Sequence, residues 1–341
     1  MPLLNLDAVR LGLIGAGSVV ETYHLPALRG LSSVKISWAC DHDLARAQSL
    51  ARTFKIGRSF AALEECPDVD VVLVAIPVGS RRPVLDIVTA RRWHALCEKP
   101  FAPTTLDHQW IIERARQQGV RLGIGLQRRH YASTALAQQL IASRLLGSIR
   151  QIIAGEGMLL RRTGRGGDWY QGSAQASGGT LFETGSHLVD QIFTVCQVCD
   201  YRIEHCRQDG WNDLELETHA TGSLLLTSGD RVPFALVVSH MRDVYNGIVV
   251  RMDQGEIRIR LGPEQPVELC TDKSPAMALA FPIGAVVNMP SAMLAEWKTF
   301  LAQCAESADF SNWDTAFLTT RFIEDCFQSA AGRRSQAVEV G

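Results

Sequence analysis

Val9-Arg10-Leu11-Gly12-Leu13-Ile14-Gly15-Ala16-Gly17-Ser18-Val19-Val20 decides the fold of this chain. A short apolar run ends in a glycine pair and passes straight into a helical pattern predicted over residues 19–31. In G-x-G-x-x-G/A the first glycine makes the tight turn and the second lets a pyrophosphate approach the backbone. The helix that follows supplies N–H donors and a positive dipole end. Gly15 and Gly17 fill those two places, Ser18 and Val19 open the helix, and Val20 stands where the third small residue is expected. The plain alternative is a strand–helix turn with no ligand; a glycine pair alone is weak evidence, and the surrounding pattern must decide.

That pattern is regular. Strands are predicted at 34–40 and 69–76, the second an almost unbroken β-branched run of the kind buried on both faces. A fourth, 94–97, is followed by a fifth near 120–126. Helices are predicted at 44–54, 81–92 and from a capping box at Thr104-Thr105-Leu106-Asp107 to a stop at Gly119. Strands alternating with helices specify an α/β domain with a doubly wound parallel Rossmann sheet. Asp41, at the end of the second strand, has the spacing of the acidic residue that accepts from the adenosine ribose. Ile76 and Pro77, ending the strand at 69–76, are further expected cofactor contacts.

Beyond residue 126 the pattern changes. A helix at 133–146 leads into a strand at 149–160 and an arginine- and glycine-rich loop, Arg161-Arg162-Thr163-Gly164-Arg165-Gly166-Gly167. Another helix spans roughly 179–195. Ser228-Gly229-Asp230 and Asp253-Gln254-Gly255 then punctuate hairpins, the second running into the alternation Glu256-Ile257-Arg258-Ile259-Arg260. These features predict a C-terminal α+β domain, residues 127–341, with a large, mostly antiparallel sheet, after a dinucleotide-binding domain of residues 1–126. Two helices, about 291–306 and 313–331, finish the chain, the C-terminal one free to pack back on the first domain.

With 341 residues, 46% of them hydrophobic, the chain has material for two cored domains. Its 34 basic against 36 acidic residues leave a net charge of −2, which argues against the basic field that nucleic-acid binding needs. No apolar run approaches membrane-spanning length, and the first residues lack a basic region, so a cytoplasmic location with no membrane association is expected. Nine cysteines, an odd count in apolar surroundings, read as free thiols. Cys196 and Cys199, with His205 and Cys206 following, have metal-ligand spacing; without a second close cysteine pair, no metal is the expectation.

Two elements carry chemistry. Glu98-Lys99-Pro100 ends the apolar strand at 94–97 and delivers an amine to the rim where such sheets bind ligands. A lysine there can handle a proton or steady an oxyanion; the plain alternative is a surface lysine before a turn. In Gly178-Gly179-Thr180-Leu181-Phe182-Glu183-Thr184-Gly185-Ser186-His187, helical spacing places Glu183 and His187 on one face, with Asp190 a turn on. Histidine is the natural proton acceptor near neutral pH, whereas a structural reading makes His187 a side chain held by a carboxylate.

Together these segments resemble the Gfo/Idh/MocA oxidoreductases, with Gly123-Ile124-Gly125-Leu126-Gln127-Arg128-Arg129 entering the second domain as a further shared element. The resemblance implies a nicotinamide cofactor and a substrate bearing a secondary hydroxyl or the matching ketone: a sugar, a cyclitol or a nucleotide-linked sugar. It implies homo-oligomers, dimers or tetramers, through the open sheet, and it implies that Lys99 and His187 act together in proton transfer, with Glu183 orienting one of them. It also implies a Lys99–Pro100 peptide that is often cis. Ser18, Val19, Glu98 and Lys99 join the expected cofactor contacts, and Lys99, Gln127, Arg128, Arg161, Arg165, Trp169, Tyr170 and His187 the expected substrate contacts. The arginines and the Trp169-Tyr170 pair raise a UDP-N-acetylhexosamine 3-dehydrogenase as a specific alternative, since arginines hold diphosphates and aromatics stack on sugar or base faces. A non-catalytic NAD-binding sensor is the alternative from another class. Three departures stand out: Glu183 where the family commonly has Asp, Val20 at the third turn position, and Gly79 and Arg82 after the 69–76 strand in place of the common Asn and His.

A carboxylate that accepts from ribose hydroxyls repels a 2′-phosphate, so Asp41 predicts NAD over NADP, although His42 and Arg46 leave some room for the latter. Titration should show NADH binding at least about tenfold tighter than NADPH, and equal affinities would count against this role for Asp41.

Overall fold

The computed structural model of the chain describes residues 4–159, 179–211, 214–271, 273–306 and 314–338. Two compact units emerge, one of residues 1–127 and 289–312, the other of residues 128–288 and 313–341.

The first unit is built on six parallel strands: β1 (Val9–Ile14), β2 (Val34–Cys40), β3 (Ser59–Phe60), β4 (Val71–Val74), β5 (His94–Glu98) and β6 (Leu122–Gly125). Their order is β3-β2-β1-β4-β5-β6, every neighbouring pair parallel. β4 is buried at every residue and β5 at all but Glu98, which is why both read as unbroken apolar runs. β4 is shorter than the strand expected at 69–76, although the Asp70 and Ala75 amides at its two ends still donate to the Arg10 and Ile14 carbonyls of β1. Strand order reverses between β1 and β4, the point outside whose carboxyl ends ligands bind in such sheets.

The first helix is not the single element expected over 19–31. A π-turn, Val20–His24, runs into α1 (Leu25–Leu28), with Pro26 in its first turn. α2 (Leu44–Phe54) starts on the Asp43 carboxylate, which accepts from the Ala45 and Arg46 amides. α3 spans Arg81–Ala90, and α4 (Thr105–Gln118) starts on the Thr104 hydroxyl, which accepts from the Asp107 amide, and ends at left-handed Gly119. α7 (Met289–Ala305) is also part of this unit. Met293, Trp297, Phe300 and Leu301 of α7 join Leu11, Leu13, Val71, Leu73 and Leu96 in one core.

Among its described residues the second unit holds eight strands, β7 (Ile149–Gly157), β8 (Val198–Trp211), β9 (Leu214–Leu226), β10 (Arg231–Ser239), β11 (Gly247–Met252), β12 (Gly255–Arg260), β13 (Val267–Thr271) and β14 (Ser274–Leu279). The order is β14-β13-β12-β11-β7-β10-β9-β8; β7 and β10 run parallel and the remaining pairs antiparallel. The hairpins predicted at 228–230 and 253–255 join β9 to β10 and β11 to β12. α5 (Ala132–Ala142), α6 (Ser186–Cys196) and α8 (Asp314–Val338) pack on this sheet and on one another. α8 stays with the second unit while α7 joins the first, a division that follows from their apolar faces. Phe322 of α8 meets Phe193, Tyr201 and Phe234 at ring centroids 5.0–5.7 Å apart. None of the described helices is long and apolar enough to cross a membrane.

Phe322 is 2% exposed. Its replacement by alanine should destabilise the second unit by about 3–5 kcal/mol, the usual cost of emptying an aromatic site, measured by chemical denaturation followed by circular dichroism.

Candidate active site

Gly15 has φ +101°, and a Cβ there would collide with the Ala75 carbonyl, so the β1 turn requires glycine. Its N–H donates to the Cys40 carbonyl at 2.8 Å. A Cβ at Gly17 would meet nothing within 4 Å. Open space thus lies against the backbone where the helical run begins, and it suits the close approach of a pyrophosphate. Asp41 accepts from the Ala16 amide (2.8 Å) and the Asp43 amide (2.9 Å). Two N–H groups therefore orient the carboxylate, which retains lone pairs for ribose hydroxyls. His42 Nδ1 lies 3.1 Å from it, on a side chain that is 91% exposed. Ser18 and Val19 enter the helical run, and Ile76 and Pro77 follow β4; the Ile76 side chain lies beside the position a Gly15 Cβ would take. These residues fit a dinucleotide.

Lys99 follows β5, half-buried, and its bond to Pro100 is cis. Glu98 Oε2 accepts from the Lys99 amide at 3.1 Å, and Oε1 is 2.8 Å from His24 Nε2. Burial alone would raise the Glu98 carboxyl, but the His24 hydrogen bond and the charges of Lys99 and Arg81 outweigh it and hold the group below the usual carboxylate range. The Trp297 indole donates to His24 Nδ1 at 3.1 Å. Arg81, 3% exposed, donates through Nε to the Ile76 carbonyl (2.9 Å) and through Nη1 to the Glu98 and Pro100 carbonyls. One guanidinium thus joins the loops after β4 and β5. Arg82 instead turns to Asp107 (2.7 Å) and lies over the Trp110 ring.

In the second unit Glu183 lies in a π-turn, Leu181–Gly185, that opens α6, and His187 is the second residue of α6. The four-residue spacing between them therefore crosses a π-to-α junction rather than a regular α-helix. Both side chains are half-buried. Asp190, 1% exposed, takes a two-pronged bond from Arg129 (2.9 and 2.5 Å) and belongs to the packing of α6. Glu215 of β9 accepts from the Leu181 amide (2.8 Å) and the Thr218 hydroxyl (2.7 Å), so it anchors the π-turn from below. Burial pushes its carboxyl up to about 7. The Thr184 hydroxyl and His240 Nε2 are 3.1 Å apart. Burial depresses the His240 imidazole, and the charges of Glu156 and Glu183 act in the opposite sense.

Of the expected substrate contacts, Gln127 reaches the Met289 sulfur at 3.9 Å, and Arg128 is held two-pronged by Glu156 (2.8 and 2.6 Å). That pair satisfies the Arg128 fork within the protein, so the residue supports its own unit rather than offering an open anion site. Arg161, Arg165, Trp169 and Tyr170 lie outside the described residues. Among the described residues no group of three or more His, Cys, Asp or Glu is arranged to hold a metal; Cys196 is buried at the end of α6 and Cys199 is exposed on β8. His24, Arg81, Glu215 and His240 escaped sequence reasoning. A histidine at four-residue spacing from both Val20 and Leu28, on the face those apolar residues share, was the available signal; Arg81 read as an ordinary helix start.

Residues 9–126 match the family model described as an oxidoreductase family with an NAD-binding Rossmann fold. A curated trans-1,2-dihydrobenzene-1,2-diol dehydrogenase of Mus musculus is 26% identical over 187 residues, 53% of this chain and 54% of that protein. A glucose-6-phosphate 3-dehydrogenase of Bacillus subtilis is 26% identical over 188 residues, 54% and 53% of the two chains. The chain thus spans about half the length of the curated relatives it matches. A 3-ketoreductase variant from Actinomadura kijaniata, crystallised with TDP-benzene and NADP, superposes with a TM-score of 0.81 at 18% identity over 95% of this chain and 98% of that one, a likeness of fold.

Because folding raises the Glu215 carboxyl from its ordinary value near 4.5 to about 7, the unfolded chain releases that proton first. The group's contribution to stability is fully present below about pH 4.5, falls as pH rises, and is lost above about 7. Glu215→Gln should therefore gain stability relative to wild type between pH 5 and 8, by up to roughly 3 kcal/mol, in urea titrations. A pH-independent difference would contradict the buried carboxyl.

Proposed function

We propose, from the match of residues 9–126 to the Gfo/Idh/MocA oxidoreductase family model, that the chain catalyses hydride transfer between a nicotinamide dinucleotide and a secondary hydroxyl or ketone of a sugar, cyclitol or nucleotide-linked sugar. The observation that carries this reading is the carboxyl edge of the first unit's sheet. There the open face of Gly17, the oriented Asp41 carboxylate and Lys99 after β5 follow strands flanking the β1/β4 reversal. Asp41 favours NAD over NADP in this reading; the TDP-benzene complex above holds NADP, so the preference is a property we assign to this chain. When bound, the nicotinamide supplies the hydride acceptor or donor.

The protein's own residues do the rest. His187 takes the hydroxyl proton during oxidation and returns it in the reverse direction, the role a histidine side chain commonly fills in proton transfer. Lys99 supplies positive charge to the substrate oxygen as negative charge grows on it. Glu183 orients His187 or Lys99, one methylene longer than the aspartate common in the family. The narrower reading, oxidation of a UDP-N-acetylhexosamine at its 3-hydroxyl, draws on Arg161, Arg165, Trp169 and Tyr170 as diphosphate and ring contacts; Arg128, engaged by Glu156, is withdrawn from that set. Half-buried Ile153, Val237 and Val249 on the large sheet suit a second copy of the chain, so a dimer or tetramer is part of the proposal.

A thermal-shift screen with NAD+ across free sugars, inositols and UDP-sugars should single out one substrate class. With that substrate, Lys99→Ala and His187→Ala should each lower kcat by about 10²–10⁴-fold with NADH affinity nearly intact. Turnover near wild type in both variants would refute the assignment.

A further inference from the structure

We infer that His24 is a positioning residue for Lys99: it fixes the Glu98 carboxylate, and Glu98 fixes the lysine-bearing turn. The inference rests on the reading of Lys99 as the functional amine. It stands on a continuous chain of hydrogen bonds within the first unit. The Trp297 indole N–H donates to His24 Nδ1 (3.1 Å), His24 Nε2 meets Glu98 Oε1 (2.8 Å), and the Lys99 amide donates to Glu98 Oε2 (3.1 Å).

An indole nitrogen can only donate, so Nδ1 of His24 accepts and the ring proton sits on Nε2, aimed at Glu98. The tautomer is thereby selected by a residue of α7. His24 and Trp297 are each 0% exposed, so water does not compete for the bond between them. Space for the carboxylate is left by Gly125 of β6, where a Cβ would stand 3.3 Å from Glu98 Cδ and Oε2. Arg81 holds the same turn from its backbone side through the Glu98 and Pro100 carbonyls.

A buried indole–imidazole pair tied to a half-buried carboxylate is a costly way to fill a core, and apolar side chains of similar volume would serve stability as well. What it achieves is direction. Both carboxylate oxygens are committed, one to the ring and one to the lysine's own amide. The His24 hydrogen bond and charge are the largest influences holding the Glu98 carboxyl below its ordinary range, with the Lys99 charge adding to them. His24 also lies in the π-turn entered from Gly17, so the segment expected to meet the pyrophosphate and the turn carrying the amine share one hydrogen bond. Single extra-residue turns of this kind recur at functional sites.

The test exploits a scarcity of lysine: the chain has five, Lys35, Lys55, Lys99, Lys273 and Lys298, and all but Lys99 are exposed. Competitive acetylation of the cofactor-free protein, read peptide by peptide by mass spectrometry, gives Lys99 reactivity relative to the other four. His24→Leu should raise that ratio about threefold, as the turn carrying the half-buried amine loses its anchor and opens to the reagent. His24→Gln, which keeps an N–H near the Nε2 position, should return it close to wild type; a residue that merely fills space would show no such rescue. Should His24→Leu fail to fold, Glu98→Gln should produce the same rise. An unchanged ratio in whichever of these two variants folds overturns the inference. Protection of Lys99 by added NADH in the wild-type protein is a separate readout: its absence would strike the oxidoreductase reading while the variant ratios still judge the role of His24.

Discussion

Everything at the candidate cofactor edge depends on one constraint: strands of a parallel sheet end together, and the loops leaving them carry backbone carbonyls that must find donors away from bulk water. Arg81 meets that demand after β4 and β5. Its guanidinium, almost wholly buried, donates to the carbonyls of Ile76, Glu98 and Pro100. A planar cation with five fixed donors can serve several carbonyls at once, which a lysine could not. The loop that would face the nicotinamide and the turn that presents Lys99 are therefore fixed relative to each other by one side chain.

Glu98 completes the arrangement from the opposite side. With His24 on one oxygen and the Lys99 amide on the other, the carboxylate is spent on orientation rather than on chemistry. The second unit uses a comparable device. Glu215 reaches up from β9 to the start of the π-turn carrying Glu183, and its cost appears as a carboxyl raised to about 7. In both units a π-turn precedes a helix and a carboxylate from a strand bonds to that turn, half-buried Glu98 to His24 and buried Glu215 to the Leu181 amide.

Much of this architecture was legible in the residues. The unbroken apolar runs of β4 and β5 read as buried parallel strands because both their faces are covered. The hairpins at 228–230 and 253–255 were visible because a tight turn demands glycine and short polar residues. The glycine turn, Asp41 and Lys99 were legible for the same reason: local backbone geometry and spacing along one strand or turn are written in neighbouring residues. Less legible were the π-turn at Val20–His24, where a continuous helix was expected, and the destination of Arg128, which the sequence offered as a substrate contact and Glu156 of β7 claims.

By itself, then, the sequence determined the alternation of strands and helices, the glycine turn, the placement of Asp41 and Lys99 at strand ends, and the presence of Glu183 and His187 at a helix start. Only the tertiary structure decided which helix closes the first unit's core, that Arg81 rather than Arg82 turns inward, and that Trp297 fixes the proton on His24. The reason is physical. Turn and strand preferences act over a few residues, whereas the partner of a buried polar side chain is chosen by which distant donor or acceptor the packed core brings within 3 Å, as it does for residues 24 and 297.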